Sequence, residues 1–190
     1  MITNIKIHSI LLFVMPFTLL LFACNNQKKP QLQQVPEDYD FIVQTGQLLP
    51  EFTMTLTDGS VINSSEFKGK VVMLQFTASW CGVCRKEMPH IENDIWQKYK
   101  NRNDFALYGI DLDEPVETVL KFAGDMKISY PLALDPKGHI FYKFATDGAG
   151  ITRNVIAGKD GKIIYMTRLF KEEEFNQMKM VIDLLLENEV

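Results

Sequence analysis

Two cysteines separated by two residues are the part of this sequence best suited to chemistry. Cys81 and Cys84 follow a tryptophan in the segment Trp80-Cys81-Gly82-Val83-Cys84. At the start of a helix, the first sulfur would lie near unpaired backbone N–H groups and the positive helix end, which favour the thiolate. Because the thiolate attacks in disulfide exchange, we expect Cys81 to be the nucleophile and Cys84, buried one turn later, to resolve the mixed disulfide.

Two other uses of such a pair fit the sequence less well. A structural zinc site usually has four ligands, and the chain has no second Cys-x-x-Cys pair and no paired histidines. Its three histidines are His8, His90 and His139. A purely structural bridge closing so short a loop would constrain the unfolded chain very little. We therefore predict redox chemistry without a metal or any other cofactor.

Glu87 is the second candidate catalytic residue. It stands three residues after Cys84, so on a helix the two side chains are neighbours, and its carboxylate leans back toward the cysteines. If it is partly buried, its pKa would rise toward neutrality, which suits proton transfer. The alternative is a solvated glutamate beside Arg85 and Lys86, whose positive charges would also favour the thiolate.

The elements that must position these residues alternate between strand and helix. The apolar run over residues 71–76 predicts a central strand buried on both faces. Strands are also expected at 52–56, 61–62, 105–110, 131–134, 151–157 and 163–167. A helix should start behind Pro115, another should finish the chain at 175–185, and short helical segments are expected at 64–67 and 138–145. The helix after the cysteine pair carries one apolar stripe, with a kink expected at Pro89; the stripe comprises Cys84, Met88, Ile91, Ile95 and Tyr99. This order predicts an α/β fold with a mixed sheet and helices on both faces.

The N-terminal part of the chain has the pattern of an export signal. Lys6 precedes an apolar run over residues 10–22 that is too short to span a bilayer. The segment Leu21-Phe22-Ala23-Cys24 resembles the lipobox of bacterial lipoproteins, which predicts lipidation of Cys24. Residues 1–23 would then be the signal peptide, residues 24–44 a polar tether and residues 45–190 the domain. The alternative is cleavage elsewhere, which would leave Cys24 as a free thiol.

The charge of the chain argues against one class of partner. The net charge is −4, and no basic stripe occurs in the sequence. Nucleic-acid binding is therefore not expected. The predicted anchor places the protein on a membrane of the cell envelope, facing the periplasm, without indicating whether that membrane is the inner or the outer one.

Several motifs in the domain together resemble one family. They are the Asp58-Gly59 hairpin, Gly69-Lys70 before the central strand, Phe76, Ala78-Ser79-Trp80-Cys81, Pro89, the inserted helix and strand, and Asp160-Gly161-Lys162. From Gly46 to about Leu186 the chain resembles the thioredoxin fold, specifically the exported TlpA/ResA-type thiol–disulfide oxidoreductases. These include bacterial lipoproteins of the AhpC/TSA–redoxin–thioredoxin superfamily. The resemblance implies a central mixed sheet flanked by helices, with an N-terminal β-hairpin and an inserted helix–strand.

The resemblance also assigns roles to individual residues. It implies that Glu87 helps to transfer protons to and from the cysteine pair. Gln75 stands where cytoplasmic thioredoxins carry a buried, titrating Asp; because Gln cannot titrate, acid–base work would shift to Glu87 or to water. An equally consistent interpretation makes Gln75 a core amide satisfied by hydrogen bonds. Trp80, Gln75 and Pro89 are expected to surround the pair without taking part in the exchange themselves.

Two positions depart from the family pattern: Gly82-Val83 between the cysteines, where many relatives have a proline, and the position opposite the pair. Thioredoxin-like proteins usually carry a cis-proline opposite the cysteines, and the corresponding residue here is Thr152. A cis bond before a residue other than proline is costly, so we expect the Ile151–Thr152 bond to be trans. Thr152 could offer its hydroxyl to the Cys81 sulfur, and Arg153 could stabilise the thiolate or a substrate carboxylate. Either residue could instead be solvated.

The sequence therefore predicts a membrane-anchored, extracytoplasmic enzyme that reduces disulfides of exported proteins. Its electrons would come from a membrane or periplasmic thiol donor. Three alternatives remain. A peroxiredoxin-like peroxidase is disfavoured because Ala78 replaces the usual Thr, whereas an oxidase or isomerase differs only in redox potential. The third is a non-catalytic binder, either a docking subunit or a metal chaperone, and a metal chaperone would have to rely on His139.

Overall fold

The computed structural model describes residues 35–187. The predicted signal peptide, Cys24 and the first part of the predicted tether lie outside these residues. Within this range the chain forms seven strands. They are β1 (Thr53–Leu56), β2 (Val61–Asn63), β3 (Val71–Thr77), β4 (Phe105–Leu112), β5 (Leu132–Asp135), β6 (Arg153–Ala157) and β7 (Ile163–Arg168).

The strands form one mixed sheet in the order β2-β1-β5-β4-β3-β6-β7. β3, β4 and β5 are parallel neighbours, and the remaining pairs are antiparallel. β3 lies between β4 and β6 and is buried at every residue, as the apolar run predicted. The β1–β2 hairpin turns at Asp58-Gly59, where Gly59 has a φ of 87°, a conformation that glycine adopts without steric cost.

Four α-helices connect and follow the strands in the described part of the chain. They are α1 (Gly82–His90), α2 (Gln97–Tyr99), α3 (Val116–Met126) and α4 (Glu172–Glu187), and a π-helical segment, Ile91–Trp96, joins α1 to α2. Short 3-10 helices occupy Glu37–Tyr39, Ser64–Phe67, Pro136–Gly138 and Phe141–Lys143. The last two take the place of the single short helix predicted over residues 138–145. Every member of the predicted apolar stripe after the cysteine pair is buried.

The sheet separates two hydrophobic cores. On one face, Met88 and Ile91 pack with Val119 and Phe122 of α3 and with Phe175 of α4. On the other face, the core is built from the 3-10 helices and from the chain before β1. The predicted mixed sheet flanked by helices is therefore confirmed, with the α-helices on one face and 3-10 helices on the other.

The segment before β1 differs from the prediction that the tether extends to residue 44. Tyr39 and Val43 are buried, and Phe41 forms a β-bridge with Ala145. Burial of these apolar side chains favours docking on the domain over a solvated tether. The folded part of the chain therefore begins before residue 45.

Candidate active site

The cysteine pair lies where β3 ends and α1 begins. Cys81 and Cys84 form a disulfide, and their Cα atoms are 5.3 Å apart. Cys81 is the N-cap of α1, and its sulfur accepts a hydrogen bond from the backbone N–H of Cys84 at 3.1 Å. Cys81 is 7% exposed, whereas Cys84 is completely buried. An incoming thiol therefore meets Cys81 first, which is the asymmetry expected of a nucleophile and a resolving cysteine.

Thr152 contacts both sulfurs. Its hydroxyl oxygen lies 3.0 Å from Sγ of Cys81 and 3.2 Å from Sγ of Cys84. No cis peptide bond occurs among residues 35–187, so the Ile151–Thr152 bond is trans. The hydroxyl is thus placed to donate a hydrogen bond to whichever sulfur carries negative charge.

Glu87 is buried in α1 rather than solvated. Its carboxylate accepts a hydrogen bond from Nδ2 of Asn154 at 2.7 Å and another from Nε2 of Gln75 at 3.3 Å. Burial raises the pKa of Glu87 to about 7, and the two amide hydrogen bonds oppose this rise. Near neutral pH the group can therefore both release and take up a proton.

Gln75 lies beneath α1 and belongs to a buried polar network. In addition to its bond to Glu87, its Oε1 accepts a hydrogen bond from the hydroxyl of Tyr130 at 2.7 Å. Both ends of the amide are therefore satisfied, as in the core-amide interpretation. The same amide also reaches Glu87, so Gln75 contacts the group expected to do the acid–base work.

Arg153 does not approach the cysteine pair, and the expectation that it contacts the thiolate or a substrate is wrong for this structure. Its guanidinium is completely buried, donates hydrogen bonds to the carbonyls of Tyr39 and Gly150, and lies over the ring of Phe41. Neighbouring residues of a strand point to opposite faces, so Arg153 faces away from the side on which Thr152 meets the sulfurs. Arg153 thus links β6 to the segment before β1 that contains Tyr39 and Phe41.

The remaining predicted supporting residues lie at the edge of the site. Trp80 is 66% exposed, so it forms part of the surface beside Cys81. Pro89 lies within α1, and two residues later α-helical hydrogen bonding gives way to the π-helical segment. A proline has no backbone N–H to donate to the helix, which accounts for an irregularity close to it.

The Arg85 guanidinium also lies beside the cysteine loop. It donates a hydrogen bond to the backbone carbonyl of Ser79 at 3.2 Å.

Two further acidic residues beside the cysteine loop were not predicted from the sequence. Glu114 accepts hydrogen bonds from the backbone N–H of Ser79 at 2.5 Å and from its hydroxyl at 2.6 Å. Asp111 is completely buried and lies opposite Thr77 in the β3–β4 ladder. Burial, followed by the negative charge of Glu114, raises the pKa of Asp111 to about 8. Both acids follow a predicted buried strand, at the sheet edge from which the cysteine loop leaves, and this position was the available signal.

Residues 35–187 hold neither a membrane-spanning helix nor a metal-binding cluster. No helix there is long and apolar enough to cross a membrane. No cluster of three or more His, Cys, Asp or Glu side chains in that range is arranged to hold a metal ion.

A Cys-x-x-Cys disulfide at the start of a helix, on a thioredoxin-type sheet, defines a thiol–disulfide oxidoreductase. The chain belongs to the redoxin family, whose profile, Redoxin, matches residues 44–182. The thiol-disulfide oxidoreductase ResA of Bacillus thuringiensis subsp. konkukian (strain 97-27) is 32% identical over 122 residues. This match covers 64% of the present chain and 68% of that protein.

Solved structures support the same assignment. A solution structure from Bacteroides thetaiotaomicron, provisionally described as a protein disulfide isomerase, is 56% identical, with a TM-score of 0.77. The match covers 79% of this chain and 94% of that one. A crystal structure from Chlorobium tepidum, provisionally described as the thiol:disulfide interchange protein DsbE, is 26% identical, with a TM-score of 0.65. This second match covers 75% of the present chain and 99% of the Chlorobium tepidum chain. The chain is thus a TlpA/ResA-type oxidoreductase.

Proposed function

We propose that this oxidoreductase is anchored to a membrane through Cys24 and reduces disulfides of exported proteins in the periplasm. The observation that carries the proposal is the unequal burial of the two sulfurs: Cys81 reaches the surface and Cys84 does not. A substrate disulfide presented from outside therefore meets Cys81, and the buried Cys84 is placed to resolve the mixed disulfide from within.

The first step uses the reduced pair. The Cys81 thiolate attacks one sulfur of the substrate disulfide, forms a mixed disulfide and releases the other substrate sulfur as a thiolate. The N-terminus of α1 and the hydroxyl of Thr152 stabilise the negative charge on Cys81 before the attack.

The second step returns the pair to its disulfide form. The ionised Glu87 takes the proton of the Cys84 thiol, and the resulting thiolate attacks Cys81. The Cys81–Cys84 bond forms, the mixed disulfide breaks, and the second substrate sulfur leaves as a thiolate that is protonated by Glu87 or by solvent. Two electrons have passed to the substrate, and a membrane or periplasmic thiol donor then reduces Cys81–Cys84 again.

Trapping experiments test this mechanism. Cys81→Ser should abolish disulfide reduction, whereas Cys84→Ser should accumulate mixed disulfides between Cys81 and exported proteins, visible on non-reducing gels. Cys24→Ser serves as the matched control, because it removes a cysteine without touching the pair. Full turnover in the Cys81→Ser or Cys84→Ser protein would contradict the mechanism.

The anchor has its own test. The Leu21-Phe22-Ala23-Cys24 segment supports lipidation of Cys24, and a lipidated chain remains with the membrane fraction at high salt. Cys24→Ser should release the protein from that fraction and remove the lipid mass from its N-terminus. An unchanged distribution and mass would refute the anchor and leave the redox mechanism intact.

A second candidate function is disulfide isomerisation. It is favoured by the 56% identity to the protein provisionally described as a disulfide isomerase. An isomerase rearranges a scrambled substrate without net transfer of electrons. Recovery of a scrambled disulfide protein by catalytic amounts of the reduced enzyme, with no further thiol donor, would favour the isomerase over the reductase.

A further inference from the structure

A row of side chains crosses the sheet beneath Glu87. Gly109, Gln75, Asn154 and Thr167 lie directly opposite one another on β4, β3, β6 and β7. They lie on the face that packs against the α-helices, because Met73, Leu107 and Ile156, each two residues away on the same strand, belong to the core on that face. Three of these four positions are polar within an otherwise apolar layer.

Hydrogen bonds join this row to Glu87 from two sides. On one side, the Tyr130 hydroxyl donates to Oε1 of Gln75 at 2.7 Å, and Nε2 of Gln75 donates to Glu87 at 3.3 Å. On the other side, Nδ2 of Asn154 donates to Glu87 at 2.7 Å and to the Thr167 hydroxyl oxygen at 2.8 Å. We call Tyr130, Gln75, Asn154 and Thr167 the polar row.

Gly109, which lies opposite Gln75 on β4, has no side chain and so leaves room for the polar row. A Cβ atom at this position would lie 2.4 Å from Cδ2 of Leu132 and 3.2 Å from the Tyr130 ring. The end of the Leu132 side chain would have to shift, and the Tyr130 ring, whose hydroxyl donates to Gln75, would have to give by a few tenths of an ångström. The backbone of β4 therefore leaves the space that the Tyr130–Gln75 contact uses.

The two amides are arranged for a carboxylate that changes its protonation state. Each oxygen of Glu87 accepts one N–H bond, which suits the ionised form. Gln75 is held in this orientation, because turning its amide would take away the acceptor of the Tyr130 proton. Oδ1 of Asn154 is buried and has no hydrogen-bond partner within the described part of the chain. A half-turn of the Asn154 amide would offer this oxygen to a protonated Glu87.

We propose that the polar row positions Glu87 for proton exchange, with Tyr130 fixing the amide of Gln75 as a constant donor and Asn154 adapting to the proton. The proposal rests on the proton-transfer role of Glu87 in the proposed function. It adds that residues without contact to the cysteines set how readily Glu87 gives up its proton. Tyr130 gives the most specific test of the polar row, because its hydroxyl hydrogen-bonds to Gln75 and not to Glu87.

The experiment is a titration of Glu87 in the oxidised full chain, in detergent, by NMR of 13C-labelled glutamate carboxyls. In the oxidised protein the two cysteines do not titrate, and Glu87→Gln identifies the signal. Tyr130→Phe and Asn154→Leu should each raise the midpoint of that signal by about one pH unit, since each removes support for the ionised form. Tyr108→Phe is the matched control, because Tyr108 packs against the core on the opposite face of the sheet; it should leave the midpoint unchanged.

The outcomes separate this proposal from the function on which it rests. An unchanged midpoint in the Tyr130→Phe protein overturns the role of the polar row, as does an equal shift in the Tyr108→Phe control. If Asn154→Leu fails to fold, Thr167→Val tests the same side of the row and should also raise the midpoint. The rate at which the reduced protein consumes a small disulfide tests Glu87 itself. A Glu87→Gln protein with the wild-type rate at every pH refutes the proton-transfer role, whatever the midpoints are.

Discussion

Replacing Thr152 by Val removes one hydroxyl from the site at nearly constant volume. In the oxidised pair this hydroxyl already lies 3.0 Å from the Cys81 sulfur. A hydrogen bond to a charged group contributes about 1.5–3 kcal/mol, which corresponds to a rise of about 1–2 pH units in the midpoint of Cys81 alkylation. Because a more basic thiolate is also more nucleophilic, the rate at pH 7 should fall by only about 3- to 10-fold.

The assay is the pH–rate profile of iodoacetamide alkylation of Cys81 in the reduced protein. Thr152→Ser keeps the hydroxyl and should stay close to the wild-type profile. Thr77→Val is the matched control, since Thr77 is buried and its hydroxyl contacts Met88 rather than the cysteines. A Thr152→Val profile that coincides with those of Thr152→Ser and wild type would refute the assignment of Thr152 as a thiolate donor.

Three further predictions concern Glu87, Arg153 and Trp80. The pKa of Glu87 is raised from 4.5 to about 7, so the folded state holds this proton more tightly; its contribution to stability is complete below about pH 4.5 and is lost as the pH rises through 7. Between pH 5 and pH 8 the oxidised wild type should therefore lose about 2–3 kcal/mol more unfolding free energy than Glu87→Gln in urea titrations; parallel curves would contradict this. Arg153→Lys should lower the unfolding free energy by about 1–3 kcal/mol, because a lysine cannot reproduce the contacts of the buried guanidinium, and should leave the alkylation profile of Cys81 unchanged. A shifted alkylation profile would show that Arg153 does influence the Cys81 thiolate. Trp80→Ala should change stability by less than about 0.5 kcal/mol, since the ring is largely exposed, yet slow the reduction of a protein disulfide more than that of a small one. This difference is expected if the exposed ring beside Cys81 contacts a protein substrate, and equal slowing of both reactions would contradict such a contact.

The sequence alone predicts the centre of the site and the strands that carry it. The continuous apolar run of β3 and the apolar stripe behind Cys84 are local patterns, and local patterns report burial directly. The spacing from Cys84 to Glu87 likewise places the carboxylate on the helix near the sulfurs without any knowledge of the sheet. Each of these predictions needed only the residue pattern within a single strand or helix.

Asn154 and Tyr130 were not predicted, because their roles depend on contacts between distant strands. Asn154 lies opposite Gln75 only in the antiparallel register of β3 and β6, which no local pattern specifies. Arg153 was wrongly placed near the sulfurs, although the period of two along a strand carried the answer. Once Thr152 faces the cysteines, Arg153 must face away and Asn154 must return to the same side.

The reduction potential of the Cys81–Cys84 pair tests the proposed direction of electron flow most directly. It is measured on the full chain equilibrated in defined thiol–disulfide buffers, with Cys24→Ser as a control for the third cysteine. The account predicts a potential near that of thioredoxin, about −270 mV, at which the reduced pair readily passes electrons to substrate disulfides. A potential near about −120 mV, typical of strong disulfide donors, would contradict a reductase and make this chain a source of disulfides.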